Sequence, residues 1–153
     1  MNNTSTQTRS DAGLASALRI SVSRLARRLR AERTVHALPE LSELSDTQLG
    51  ALATLERHGA MTPGELADHE KVQPPSMTRV IAVLEQRSLV MRSAHATDKR
   101  QVMLSVTDAG RDLVHQSRRL RDAWLARRLR ELTPQERAKL RAAAPILEKL
   151  SQS

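Results

Sequence analysis

Arg79 with its neighbours Ser76 and Thr78, and the group Arg92, Asp98, Lys99 and Arg100 further on, are the residues whose types and spacing suit a definite chemistry. Guanidinium, ammonium and hydroxyl groups donate to phosphate oxygens, and a guanidinium also matches the O6 and N7 acceptors of guanine two at a time. The chemistry on offer is recognition of a polyanion, with no bond made or broken. From Lys71 to Val106 six basic residues stand against Glu85 and Asp98 alone, so positive charge is dense where these donors lie. Asp98 can hold Arg92 or Arg100 by a charge-assisted bond and so stiffen a loop. A stiffened arginine gains from the negative potential of a minor groove without reading base identity.

Such donors need rigid elements behind them. Thr62-Pro63-Gly64-Glu65 reads as a capping box with proline at the first helical position, opening a short helix through Leu66 to about His69. Val72 falls in the turn, and Pro74-Pro75 is tolerated only at the start of the next helix, which the pattern places at Pro75 to Arg87. At 100° per residue Met77, Val80, Ile81 and Leu84 form one apolar stripe, opposite Pro75, Arg79, Ala82 and Gln86, with Ser76 and Thr78 on the flanks. A solvated face looks much the same as this outer stripe. The hairpin that follows favours a partner: Val102, Leu104 and Val106 alternate as a strand paired with Leu89 to Arg92, around a basic loop from Ser93 to Gln101. Helix, turn, helix and basic hairpin make a winged helix-turn-helix, a shape suited to duplex DNA.

The remaining segments divide around that lobe. Residues 1–13 are polar and predicted to be a disordered tail. Residues 14–39 carry Leu14, Leu18, Val22, Leu25 and Leu29 at helical spacing, ended by Pro39. The DNA-binding lobe is predicted over 40–106, its first helix capped by Ser45 and Gln48 and closed near Gly59. Residues 107–153 read as two further helices, opened by Thr107 and by the Thr133-Pro134-Gln135-Glu136 box. The fold class is thus mainly α with a small β-hairpin wing, a winged helix-turn-helix flanked by further helices.

Composition narrows the partner. The 153 residues carry a formal net charge of +8, favouring nucleic acid or an anionic surface. Phe and Tyr are absent and Trp124 is the sole aromatic, which argues against stacking on single-stranded bases. With no cysteine there is neither a disulfide framework nor a thiol switch, and the polar start lacks a signal sequence. A soluble, cytoplasmic protein is expected. His69-Glu70 lacks the second histidine of a metalloprotease motif, and the five histidines show no ligand spacing. Neither a nucleophile elbow nor a phosphate-binding loop is present, so no enzyme, metal or cofactor is expected.

From Leu14 to Leu150 the chain resembles the multiple antibiotic resistance regulator (MarR) family of bacterial winged-helix transcription factors. The resemblance rests on Pro75-Ser76-Met77-Thr78-Arg79, on Arg92, on Asp98-x-Arg100 and on Leu104-Ser105-Val106-Thr107-Asp108-Ala109-Gly110. It implies a homodimer joined by the first and last two helices, repressing from a pseudo-palindromic operator with DNA contacts from Pro75, Ser76, Thr78, Arg79, Arg92, Asp98, Lys99 and Arg100. A small-molecule effector between dimer helices and lobes is also implied, although a chain without Phe or Tyr departs from an aromatic-lined pocket. Ser88 stands where the family usually has glycine, predicting a strained or shifted junction. The competing reading is an architectural, nucleoid-type protein binding DNA with little sequence preference.

Overall fold

The computed structural model describes residues 3–36, 39–95, 97–98 and 100–151. Its elements are α1 (Asn3–His36), α2 (Pro39–Ser42), α3 (Asp46–His58), α4 (Pro63–Glu70), α5 (Pro74–Gln86), β1 (Val90–Ala94), β2 (Val102–Val106), α6 (Asp108–Arg130) and α7 (Pro134–Ser151). This is a mainly helical chain with one antiparallel hairpin, as expected. Two elements differ from the sequence reading. Residues 3–13, expected as a disordered tail, belong to α1; extending an existing helix costs far less than nucleating one, and no proline intervenes. Pro39, expected only to stop a helix, instead opens the single turn of α2, where its missing N–H is harmless and Leu41 becomes fully buried.

The chain forms two compact units, one of Arg33–Leu120 and one combining Met1–Glu32 with Arg121–Ser153. The first unit is larger than the expected 40–106 lobe because Val114 of α6 is in its core, with Leu113 and Leu120 packed against it. That core is built from Leu41, Leu44, Leu52, Leu55, Leu66, Met77, Ile81, Leu84 and Leu104, all at most 2% exposed. In the second unit Trp124 is buried, with the Arg128 guanidinium carbon 5.7 Å from its ring centroid.

The hairpin pairs Val90 with Val106 and Arg92 with Leu104. Alternation along β2 buries Leu104 and Val106, while Val102, paired with Ala94 at the loop end, is 37% exposed. A short third edge escapes sequence reading: Met61 N–H donates to Leu104 O at 3.1 Å, and Leu104 N–H returns to Met61 O at 2.8 Å. The wing is thereby bonded to the residue preceding the Thr62 cap of α4. Beyond β2, the Thr107 hydroxyl donates to Ser88 O at 2.8 Å and accepts from Gly110 N–H at 3.1 Å, capping α6 while tying it to the end of α5.

Gly110 serves this junction by having no side chain. A Cβ there would overlap Leu89 O and lie 2.7 Å from Val106 Cγ2. Alanine normally adds about 1 kcal/mol over glycine inside a helix. Gly110→Ala should reverse that sign and destabilise the protein by about 1–3 kcal/mol through overpacking, measured by urea unfolding.

Candidate nucleic-acid interface

The Thr62 box holds α4 at its start: Glu65 N–H donates to Thr62 Oγ1 at 3.3 Å, and Thr62 N–H donates to Glu65 Oε2 at 2.7 Å. Lys71, at φ 52°, ends α4 in the left-handed conformation and reverses the chain toward α5. Both Pro74 and Pro75 fit in the first turn of α5, where Ser76 and Met77 N–H donate to Gln73 O at 2.9 and 3.0 Å. Two prolines and two committed amides leave this helix start with few free donors, so anion recognition must come from side chains. Met77, Ile81 and Leu84 are buried and Val80 is partly so; Pro75, Ser76, Thr78, Arg79, Ala82 and Gln86 face out. This division is the one the wheel predicts. Thr78 Oγ1 donates to Pro74 O at 3.0 Å, so its hydroxyl is left as an acceptor. Among the described residues, Ser76 and Arg79 have no side-chain partner and Arg79 is exposed.

At the wing the structure corrects the expected pairing. Asp98 Oδ1 accepts from the backbone N–H of Arg100 at 3.0 Å, and neither arginine guanidinium is its partner. Arg92 is held by Glu85, with Nε donating to Oε1 at 2.5 Å and a terminal nitrogen to Oε2 at 2.9 Å. That bond, chiefly, raises the Arg92 pKa above its ordinary value. The physical reason is reach: Glu85 lies in the last turn of α5 beside β1, whereas Asp98 is bent back onto its own loop. The loop is braced further by His95 Nδ1, which accepts from Asp98 N–H at 3.2 Å and Thr97 N–H at 3.3 Å. Arg87 is likewise engaged, at 2.7 Å from Glu43. Lys71, Arg79 and Arg100 are left exposed and without side-chain partners among the described residues. Lys99 lies outside the described residues.

Comparison with known proteins identifies the family of the chain. The MarR family model matches residues 44–102, the span from the connection before α3 to the start of β2. The HTH-type transcriptional regulator MT0903.1 of Mycobacterium tuberculosis is 49% identical over 138 residues, 90% of this chain and 92% of that protein. The chain belongs to the MarR family. The HTH-type transcriptional repressor MdtR of Bacillus subtilis is 34% identical over 74% of this chain and 72% of its own. A crystal structure of a candidate transcriptional regulator protein from Pseudomonas aeruginosa superposes with a TM-score of 0.80 at 34% identity, covering 94% of this chain and 97% of the other. This MarR protein is a DNA-binding transcriptional regulator and not an enzyme.

Two further features lie at the end of α5 and behind the wing of this MarR chain. Ser88 adopts φ 56°, the left-handed conformation at a position where its Cβ costs roughly 1–2 kcal/mol. The bonds from Ser88 N–H to Glu85 O at 2.9 Å and from Thr107 to Ser88 O hold it there, so the junction is strained rather than shifted. Behind the wing, a cavity of about 290 Å³ brings His95 of the hairpin loop together with His58, Glu65 and His69. The His58 and His69 rings stack with centroids 4.9 Å apart. Among the described residues no three His, Asp or Glu side chains are arranged to hold a metal ion. Sequence reasoning missed Glu85 and Glu43 as partners; their only signal is negative charge within a basic lobe, and spacing along the chain does not reveal which arginine each meets.

The backbone N–H of Thr62 is the main cause holding Glu65 below its ordinary pKa of 4.5, and Thr133 acts likewise on Glu136. A carboxyl depressed in the folded state adds stability above its unfolded pKa, lost as pH falls through the folded one. The thermal midpoint should therefore drop below about pH 4.5. A Glu65→Gln, Glu136→Gln variant keeps capping acceptors and should show a shallower drop in a melting series; equal slopes would place the acid sensitivity elsewhere.

Proposed function

We propose that this regulator is a repressor that binds a pseudo-palindromic operator as a homodimer. The observation that carries the reading is Arg79: exposed, unpartnered among the described residues, and set on a helix stripe of small residues able to approach a groove floor. Arg79 reads a guanine in the major groove, flanked by Ser76 and Thr78 and with Pro75 packing at the helix start. Arg100, placed by the Asp98 turn, serves the minor groove together with Lys99. A repressing sign is supported by MdtR, a relative that carries that description.

Dimerisation is supported by apolar surface that the chain leaves uncovered. Leu14, Val22 and Leu25 of α1 and Ile146, Leu147 and Leu150 of α7 are 39–61% exposed. A shallow apolar hollow of about 340 Å³ lies between Leu18, Val22, Leu147 and Leu150. Stripes of this kind mark a protein contact, and two linked readers match half-sites roughly 34–36 Å apart. An effector is supported by a second cavity, about 360 Å³, lined by Leu89, Ala109 and Leu113 with Arg87 and Asp112 at its polar edge. Its size suits a small organic molecule, and its lining is divided between aliphatic side chains and the charged Glu40, Arg87 and Asp112. A cytoplasmic location follows from the DNA partner; among the described residues no helix is long and apolar enough to cross a membrane.

A nucleoid-type role has one observation in its favour, the exposed Arg19, Arg24, Arg27 and Arg28 of α1. Site selection from random duplexes separates the two readings: one enriched palindrome is expected, and uniform recovery would remove the repressor. Arg79→Ala should cost roughly 1–3 kcal/mol on that operator and relax one base pair per half-site. Arg100→Ala should weaken all duplexes alike and reduce the salt slope by about 1 per site. Sedimentation should show a dimer that Ile146→Glu with Leu150→Glu converts to monomer; an unchanged mass would move the interface off α7.

A further inference from the structure

The recognition helix and the wing are joined by a two-pronged ion pair whose acid comes from the helix. Both Glu85 carboxylate oxygens face the Arg92 fork, at 2.5 and 2.9 Å, and the side chains remain 28% and 44% exposed. A bidentate pair fixes direction as well as distance, unlike a lone lysine contact. Around α5, Glu85 lies about 120° from Arg79, so its carboxylate is off the stripe that meets the groove. Arg92 is the middle residue of β1, paired across the hairpin with Leu104, which is fully buried. One end of this pair is thus anchored in the helix that reads bases, the other in the strand that carries the wing.

An unpartnered arginine at the start of a basic wing would add a phosphate contact on any sequence, strengthening random and specific binding alike. Moving Arg92 onto a phosphate would also strand the Glu85 carboxylate beside the polyanion. We infer that Glu85 is a positioning and specificity residue for DNA reading. It withholds Arg92 from the phosphates and locks β1 to α5, so that helix and wing approach the duplex in one fixed relation. The inference rests on the roles proposed above for α5 and the wing, and it assigns Arg92 to the scaffold.

Binding of the full chain to a random-sequence duplex, measured against salt concentration, tests it. Glu85→Gln should bind the random duplex several-fold tighter and steepen the salt slope by about 0.9 for each subunit engaged, the increment of one added phosphate contact. Arg92→Gln alone should leave the slope where it is in the unmodified protein, and in the Glu85→Gln background should abolish the increment. Glu85→Asp, which keeps the acid, should retain the original slope. A slope that falls by about 0.9 in Arg92→Gln alone would show that Arg92 already touches phosphate and would overturn the inference. So would an unaltered slope in Glu85→Gln. The operator-to-random affinity ratio of the unmodified protein reports separately on sequence reading: a ratio near one defeats that reading, while the slope differences still judge Glu85.

Discussion

Burial of Met77, Ile81 and Leu84 along one stripe of α5 decides which side chains of this regulator remain to meet DNA. Each such side chain contributes roughly 1.5–3 kcal/mol when fully removed from water. Turning the helix by a single residue would expose part of that stripe and carry Arg79 toward the core, where an unpaired guanidinium is far more costly. The outward direction of Arg79 is therefore a by-product of hydrophobic packing. Its freedom to bind comes from the absence of an acidic neighbour, since the acids nearby are committed elsewhere.

Packing alone would leave the wing free to swing, and three polar devices prevent it. Met61 pairs with Leu104 on both backbone sides, placing the hairpin against the start of α4. Thr107 ties the end of α5 to the start of α6 across the strained Ser88, at a spot where Gly110 leaves no room for a side chain. Glu85 and Arg92 complete the frame from α5 to the first wing strand. None of the three contributes much stability by itself, but each sets an angle. A sequence-reading regulator of the kind proposed needs those angles more than it needs further affinity, because added phosphate contacts strengthen every sequence equally.

Much of this was legible along the chain. The boxes at Ser45, Thr62 and Thr133 carry their partner three residues away, and all three bonds form. The face of α5 followed from a wheel, and the strand containing Leu104 and Val106 from its alternation. The partners of the arginines were not legible. Arg92 meets Glu85 across seven residues and a turn, and Arg87 meets Glu43 across forty-four. A charge finds whichever opposite charge the fold places within about 4 Å, and sequence spacing carries little information about that. Composition likewise misjudged residues 3–13, where polar side chains continue a helix already begun.

By itself, then, the sequence determined the order and kind of the elements other than α2 and the start of α1, the outward stripe of α5 and the family of the chain. Those depend on periods and caps spanning three or four residues, short enough for local chemistry to decide. Tertiary structure decided which basic residues are available: Lys71, Arg79 and Arg100 stand open, while Arg87 and Arg92 are closed by acids from other turns. It also gathered His58, His69 and His95 around one cavity. Long-range electrostatic pairing depends on the closing of loops around a buried core, and that closure is settled only when the whole lobe has folded.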